Sequence, residues 1–278
     1  FTQLEENPAY TLRRYPCFNS LNEPLWPERW SYDALNQRKA EIGSLKFTRE
    51  YLCVPISTGT ALFNPEFLNA GKNKEDILRM GKKEDRKYYV GVDPAISTDG
   101  DYNVITVIEV DENSNKRIVY IDRQKNVEFR ENIEKVRLVG RIFNPEVVLF
   151  ETNTFAKSFT QELRNVSDLN VRDFNTTRKK KEEIILNLQM NFENGKILMP
   201  YGDEASRTMT KMLIEELSMF SITEAGRFEG VGAHDDLVMS LALANSASSM
   251  MGENFVLLDD MEIFDNKHPQ ASVIGLNF

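Results

Sequence analysis

The stretch YYVGVDPAISTDGDYNVITVIEVDENSNKRIVYID, residues 88–122, decides the fold of this chain. Its three runs of β-branched and aromatic residues predict strands at Tyr88–Asp93, Val104–Val110 and Arg117–Asp122. The links between the runs are short and rich in turn residues, as at 113–115. Because links of this length cannot hold a crossover helix, we expect the three strands to form an antiparallel meander.

Beyond this meander the pattern alternates between helix and strand. The predicted elements are a helix at 129–143, a strand at 146–150, a helix at 156–164, a strand at 171–174, a helix at 180–193, a strand at 196–199, a helix at 203–220, a hairpin across 224–226 and a helix from His234. A meander followed by such alternation predicts an α/β fold, with a mixed sheet of antiparallel and parallel strands flanked by helices on both faces. The order of the elements fits a ribonuclease-H-like arrangement.

The composition of the chain changes near residue 84. Before it, six prolines interrupt any long period, and a single helical stretch, capped by Ser31, runs to about Glu50. We expect residues 1–84 to be an arm that packs on a neighbouring domain. Residues 85–251 are predicted to form the ribonuclease-H-like domain, and residues 252–278 a poorly ordered C-terminal tail.

The charge and composition exclude several classes of protein. The chain has 278 residues with 34 basic and 43 acidic side chains, a net charge of -9, so nucleic acid must be held by a local basic patch. The two cysteines have no CxxC spacing, which disfavours a zinc site or a disulfide framework. The least charged stretch, 237–251, is too short to span a bilayer, and no signal peptide is visible after Phe1. The missing initial Met indicates a piece of a longer protein.

Acidic residues end two of the predicted strands and open the last helix. They are Asp93 and Glu151 at the strands, and Asp235 with Asp236 at the helix. Ligands generally bind at the edge where adjacent strands end, so these carboxylates should face one crevice. Two such charges about 5 Å apart repel by roughly 3 kcal/mol at an effective dielectric near 20, and divalent cations would offset this repulsion. Oxygen ligands suit a pair of Mg²⁺ or Mn²⁺ ions, which can hydrolyse a phosphodiester.

Each acidic position also has a purely structural explanation. Asp93 precedes a proline and is typical of a turn, and Glu151 is typical of a strand-to-helix cap. Asp235 and Asp236 would favour the positive end of a helix. The three sites together are harder to explain in this way than any one of them.

Two further residues lie beside the acids. Asp101 would join the site or shape a turn with Gly100, and the turn is favoured. His234 would position a carboxylate or transfer a proton, and a capping or packing role explains it equally well.

The densest basic run lies where a loop enters a predicted helix. It consists of Arg178, Lys179, Lys180 and Lys181. Four cations at a helix N-terminus oppose the helix dipole, which favours a role in binding DNA phosphates over a solvated face. A GxxxxGK[ST] loop is absent from the sequence, so we expect no ATPase activity from this chain.

Seven short stretches carry a resemblance to a known family. They are YVGVDPA at 89–95, GDY at 100–102, VVLFE at 147–151, NGKI at 194–197, GAHDDLV at 232–238, LWPER at 25–29 and FTREYLCVP at 47–55. The first five resemble the C-terminal nuclease domain of the large terminase subunit of tailed bacteriophages. The last two resemble the segment that follows the ATPase core in this family, a core that is absent here. The resemblance covers about residues 20–247.

This resemblance implies an endonuclease that cuts concatemeric double-stranded viral DNA during genome packaging. Asp93, Glu151 and Asp236 match the catalytic, metal-binding acids, and Asp235 matches a further acidic position. The implied cofactors are two divalent ions, Mg²⁺ or Mn²⁺, and the implied partners are DNA, the small terminase subunit and the portal protein. The implied place is the host cytoplasm rather than the virion, and the isolated chain is expected to be a monomer.

Two alternatives stay open at this point. A Holliday-junction-resolving nuclease of the same fold would use similar acids on branched DNA. A packaging scaffold without enzymatic activity would tolerate the loss of the acids.

Overall fold

The computed structural model of the chain describes residues 9, 11, 13–54, 59, 61–94, 102–152, 157–223, 225–230 and 234–250. Within these residues, seven strands form a central sheet and two form a separate hairpin. The strands are β1 (Lys72–Asn73), β2 (Lys87–Asp93), β3 (Asn103–Val110), β4 (Lys116–Gln124), β5 (Val147–Glu151), β6 (Val171–Phe174), β7 (Ile197–Pro200), β8 (Phe220–Ile222) and β9 (Phe228–Gly230). The helices are α1 (Tyr32–Ile42), α2 (Ser44–Glu50), α3 (Pro65–Ala70), α4 (Phe129–Phe143), α5 (Lys157–Val166), α6 (Arg178–Glu193), α7 (Glu204–Met219) and α8 (Asp236–Ser249).

The strand order across the sheet is β1-β7-β4-β3-β2-β5-β6. Strands β2, β3 and β4 are antiparallel neighbours. Strands β5 and β6 continue from β2 in parallel, and β7 lies parallel to β4 on the other side. This topology confirms the predicted ribonuclease-H-like mixed sheet, in which a three-strand meander is extended by parallel strands.

Alternation along the strands sorts the apolar side chains into two cores, one on each face of the sheet. In β2, Val90 and Val92 pack in one core with α4 and α5, whereas Tyr89 packs in the other with α6 and α8. The side of α4 that faces the sheet includes Val136 and Phe143, both buried. Helices therefore cover both faces, as predicted.

Helix α8 lies directly on the centre of the sheet. Most of its residues are buried, including small ones such as Ser240 and Ala244, because strands lie beneath it and α6 and α7 beside it. A Cβ atom added to Gly91 of β2 would lie 2.1 Å from the Ser240 carbonyl oxygen and 2.4 Å from the Ala244 nitrogen. The close approach of α8 to β2 thus requires glycine at this position.

The single helix predicted from Ser31 to about Glu50 is wrong, since two helices, α1 and α2, occupy this stretch. They are separated at Gly43, whose φ of 81° is easy for glycine and strained for other residues. Ser31 accepts the N-cap hydrogen bond of α1, as predicted. The backbone N–H of Ser44 donates to the Glu193 carboxylate at 2.8 Å, which docks the start of α2 on α6.

Residues 61–73, assigned to the arm from the sequence, contribute to the domain itself. Strand β1 pairs with β7 at the edge of the sheet. Leu62, Phe63 and Leu68 lie in the core beneath α6 and α8. The sheet therefore begins before residue 85, and the wider division into arm, domain and tail stays a prediction. Asp101 and the predicted tail, 252–278, lie outside the described residues.

The later elements lie close to their predicted places. Strands β8 and β9 pair as the hairpin expected around 224–226. Helix α6 begins two residues before its predicted start, with Thr177 as its N-cap, and it ends at Glu193 with Asn194 as its C-cap, as predicted. Helix α8 begins at Asp236 rather than at His234. Among the described helices, none combines the length and the apolar character needed to cross a membrane.

Candidate active site

Asp93 and Glu151 end two adjacent parallel strands. Strands β2 and β5 are paired in register up to the residue before each acid, so the two acids lie side by side at one edge of the sheet. Side chains an even number of residues apart in a strand lie on the same face of the sheet. Asp93 is four residues after Tyr89 in β2, and Glu151 is two residues after Leu149 in β5; Tyr89 and Leu149 both lie in the core beneath α8. Both carboxyl groups therefore point to the α8 side of the sheet.

The carboxyl group of Asp93 has a pKa well above its ordinary value. Burial is the largest cause, followed by the negative charges of Glu151 and Asp236, a hydrogen bond with Glu151, and the charge of Asp235. The charges of the other three predicted acids thus all act on Asp93. Each negative charge makes ionisation of the others costlier, so a cation among them would be strongly favoured.

Contact between α8 and β2 brings Asp236 to the strand ends. Ser240, one helical turn after Asp236, donates its hydroxyl to the Gly91 carbonyl oxygen at 2.9 Å, and Gly91 is two residues before Asp93. Asp236 is only 8% exposed, and its Oδ2 accepts a hydrogen bond from the Tyr102 backbone N–H at 3.2 Å. This placement explains why the charge of Asp236 acts on Asp93.

Asp235 occupies the N-cap position of α8 but does not cap the helix with its side chain. Its Oδ2 instead accepts a hydrogen bond from Lys181 Nζ of α6 at 2.9 Å. The charge of Asp235 also raises the pKa of Asp93 less than the charge of Asp236 does. Asp236 is therefore the member of the pair more closely associated with the strand acids.

The basic run forms the first turn of α6, and its members have different surroundings. Arg178 and Lys179 are exposed, and Arg178 donates to the Gly226 carbonyl oxygen of the β8–β9 turn at 2.9 Å. Lys180 and Lys181 are half-buried, and the structure brings Lys181 to the acidic pair. A positive rim thus lies beside the carboxylates.

His234 lies at the border of the site. Its Nδ1 is 3.6 Å from Asp236 Oδ2, too far for a good hydrogen bond. Its ring meets the Tyr102 ring edge-on, with 5.0 Å between centroids. The Arg123 guanidinium lies 3.4 Å from the centroid of the same Tyr102 ring.

Glu216 of α7 is a site residue that the sequence reasoning did not single out. Its Oε2 accepts a hydrogen bond from the Leu237 backbone N–H at 2.9 Å, and its Oε1 accepts one from Arg123 at 3.1 Å. The pKa of Glu216 is raised to about 7, chiefly by burial and to a smaller extent by the charge of Asp236, while Arg123 and the backbone hydrogen bonds at the start of α8 oppose the rise. The available signal was an acidic residue within the apolar stripe of α7, three positions after the buried Leu213.

The four acids offer the kind of ligand atoms that bind a hard divalent cation. All four acids offer carboxylate oxygens, the ligands preferred by Mg²⁺ and Mn²⁺. Among the residues that the structure describes, no three His, Cys, Asp or Glu side chains already surround a common metal position. The acids therefore converge on one region without forming a closed coordination sphere.

The sheet and its acidic edge define a class, a ribonuclease-H-like α/β domain with carboxylates gathered at the strand ends. A family model described as the terminase RNaseH-like domain matches residues 90–247, and the chain belongs to this family. The chain is also similar to the large terminase subunit of Thermus phage G20c, with 24% identity over 246 residues. This match covers 84% of the chain and 47% of the relative, so the chain spans about half the length of the curated relatives it matches.

Solved structures show the same fold. The large terminase nuclease of phage G20c matches with a TM-score of 0.51 and 22% identity, over 67% of this chain and 97% of that one. Its magnesium-bound structure matches with a TM-score of 0.52 and 21% identity, over 69% and 98%. The bacteriophage HK97 large terminase matches with a TM-score of 0.52 and 12% identity, over 77% and 49%.

Proposed function

We propose that this chain is the nuclease part of a large terminase subunit and cuts double-stranded viral DNA during genome packaging. The observation that carries the proposal is the convergence of Asp93, Glu151 and Asp236 at one edge of a ribonuclease-H-like sheet. Membership of the terminase family and similarity to proteins named as large terminase subunits support the same activity. The site acts on phosphodiesters, because it offers metal-binding acids next to a positive rim.

Asp93, Glu151 and Asp236 would hold two divalent ions, Mg²⁺ or Mn²⁺, with Asp235 as a further ligand. When bound, such ions activate water and stabilise the leaving oxygen of a phosphodiester. The raised pKa of Asp93 supports this role, since positive charge relieves the repulsion among the acids. The phage G20c nuclease has structures with bound magnesium and with bound cobalt, which is consistent with divalent metal use here.

The protein groups around the acids bind and orient the DNA. Lys179 is exposed in the first turn of α6 and would contact a backbone phosphate. Lys181 holds Asp235 and so fixes the side of the site nearest to α6. His234, whose Nδ1 lies 3.6 Å from Asp236 Oδ2, would transfer a proton rather than hold that carboxylate by a direct hydrogen bond, and Asp101 would shape the loop before β3. The proposed partners are DNA, the small terminase subunit and the portal protein, in the host cytoplasm.

Plasmid cleavage with Mg²⁺ or Mn²⁺ tests the proposal. The protein should nick and cut supercoiled and linear duplex DNA, and Asp93→Asn, Glu151→Gln and Asp236→Asn should each abolish most of this activity. Asp173→Asn is a matched control, because Asp173 lies on the neighbouring strand β6 but is 39% exposed and paired with Arg164. It should cut at the normal rate.

Cleavage that persists in excess EDTA would refute metal dependence. A strong preference for four-way junctions over linear duplex would favour a junction-resolving nuclease instead. Binding of duplex DNA without any cleavage, at every Mn²⁺ concentration, would favour a packaging scaffold.

A further inference from the structure

The N-terminus of α8 is capped by another helix rather than by its own N-cap residue. In most helices the N-cap side chain accepts a hydrogen bond from the backbone N–H two or three residues later. Asp235 occupies this position and makes no such bond. The N–H of Leu237, two residues later, donates instead to Glu216 of α7 at 2.9 Å. Glu216 therefore has the role that Asp235 would ordinarily have.

Glu216 also belongs to a ring of contacts that closes on Asp236. Its second oxygen binds Arg123 of β4 at 3.1 Å. Arg123 lies 3.4 Å from the centroid of the Tyr102 ring, and the Tyr102 backbone N–H donates to Asp236 Oδ2 at 3.2 Å. The side chains of Glu216 and Arg123 are 7% and 11% exposed, so water competes little for these contacts.

We propose that Glu216 is a positioning residue for the acidic site, an inference that rests on the proposed nuclease function. By binding the Leu237 N–H, it leaves the Asp235 carboxylate to bind Lys181 and face the other acids. By holding Arg123 against Tyr102, it fixes the backbone donor that orients Asp236. Asp235 occupies the N-cap position, so without Glu216 its carboxylate would be expected to turn back, cap the Leu237 N–H of its own helix and leave the site.

Substitutions at Glu216 separate the position of the accepting oxygen from its charge. Glu216→Gln keeps one oxygen at the same reach for the Leu237 N–H, without the charge, and turns an amide donor towards Arg123. Glu216→Asp keeps the charge but is shorter by one methylene. If the cap on the Leu237 N–H is what matters, Glu216→Gln should need at most about threefold more Mn²⁺ for half-maximal cleavage. Glu216→Asp and Glu216→Ala should need about 10- to 100-fold more, the usual effect of losing a residue that orients a metal ligand.

Two measurements besides cleavage distinguish positioning from a general structural role. Calorimetric titration with Mn²⁺ should show the same order of affinities as the cleavage assay. Fluorescence anisotropy without metal should show unchanged DNA affinity in every variant, because no phosphate contact is removed. Glu109→Gln is the matched control, because Glu109 is also buried and paired with Arg79, but at the other end of the β2–β3 ladder. It should lower the melting temperature without changing the Mn²⁺ requirement.

The inference is overturned if folded Glu216→Ala keeps the normal Mn²⁺ affinity, or if Glu216→Gln is more defective than Glu216→Asp. If Glu216→Ala does not fold, the comparison of Glu216→Gln with Glu216→Asp decides alone. If the unmodified protein binds Mn²⁺ but does not cut DNA, the proposed nuclease function fails, while the calorimetric comparison still tests the role of Glu216.

Discussion

Replacement of Gly91 by Ala should move α8 away from β2 and impair both stability and the proposed DNA cleavage. The added Cβ would lie 2.1 Å from the carbonyl oxygen of Ser240 and 2.4 Å from the nitrogen of Ala244. Both are backbone atoms of a helix, so neither can rotate out of the way. Ordinary contact begins at 3.4 Å, so the helix must shift by about 1 Å in a closely packed interior.

Both consequences of this shift can be estimated. Overpacking of a core costs about 1–3 kcal/mol, and a backbone collision should cost the upper part of this range. In a domain of this size, such a loss lowers Tm by about 5–10 °C. Asp236, a proposed metal ligand, moves with α8, and misplacement of such a group by about 1 Å reduces the rate by up to about 100-fold. Cleavage by folded Gly91→Ala should therefore fall by about 10- to 100-fold.

Gly140→Ala is the control for a general packing defect. Its added Cβ would meet side-chain carbons of Leu169 at 2.6 Å and 2.7 Å, on the face of the sheet opposite to α8. This variant should lose stability in a circular-dichroism melt but keep its cleavage rate in a plasmid assay with Mn²⁺, both assays being run below the melting temperature. If Gly91→Ala cuts at the normal rate, or melts with the unmodified protein, contact at Gly91 does not set the position of α8.

Two further predictions concern lysines in very different surroundings. Lys179→Ala should weaken duplex binding and lower the slope of affinity against salt by up to about one unit, without changing Mn²⁺ binding. Fluorescence anisotropy over a salt series measures this, and an unchanged slope would mean that Lys179 is only solvated. Burial lowers the pKa of Lys116 from 10.5 to about 8. Burying the charged amine therefore destabilises the folded protein by up to about 3 kcal/mol below pH 8, and this destabilisation disappears as the pH rises towards 10.5. In thermal melts over this range the unmodified protein should therefore gain stability relative to Lys116→Met, and a constant difference would contradict the shift.

The sheet and the two acids at its strand ends could be predicted because their signals are local. Each strand of the meander is a continuous apolar run bounded by turn residues, and strands that alternate with helices become parallel neighbours. Asp93 and Glu151 each end such a run, so the carboxyl ends of parallel strands bring them together. The break at Gly43 was missed, because apolar residues on both sides of it keep a helical spacing.

Contacts between distant parts of the chain were beyond the reach of such patterns. Lys181 and Asp235 are 54 positions apart, and Glu216 caps a helix that begins 20 residues after it in the sequence. Strand β1 joins the sheet although it is only two residues long, because its partner β7 supplies the pairing. None of these contacts has a periodic signature.

The sequence by itself determined the kind of sheet, the helices on both faces and the acids at the strand ends, because hydrophobic periodicity and strand termini are properties of short segments. Only the tertiary structure decided how the acids are held. The depth at which α8 lies on β2 depends on a backbone contact at Gly91, and Asp235 can bind Lys181 while Glu216 accepts the cap hydrogen bond from the Leu237 N–H. Such details follow from which surfaces meet when the chain is packed, and close packing is a property of the whole domain rather than of any segment.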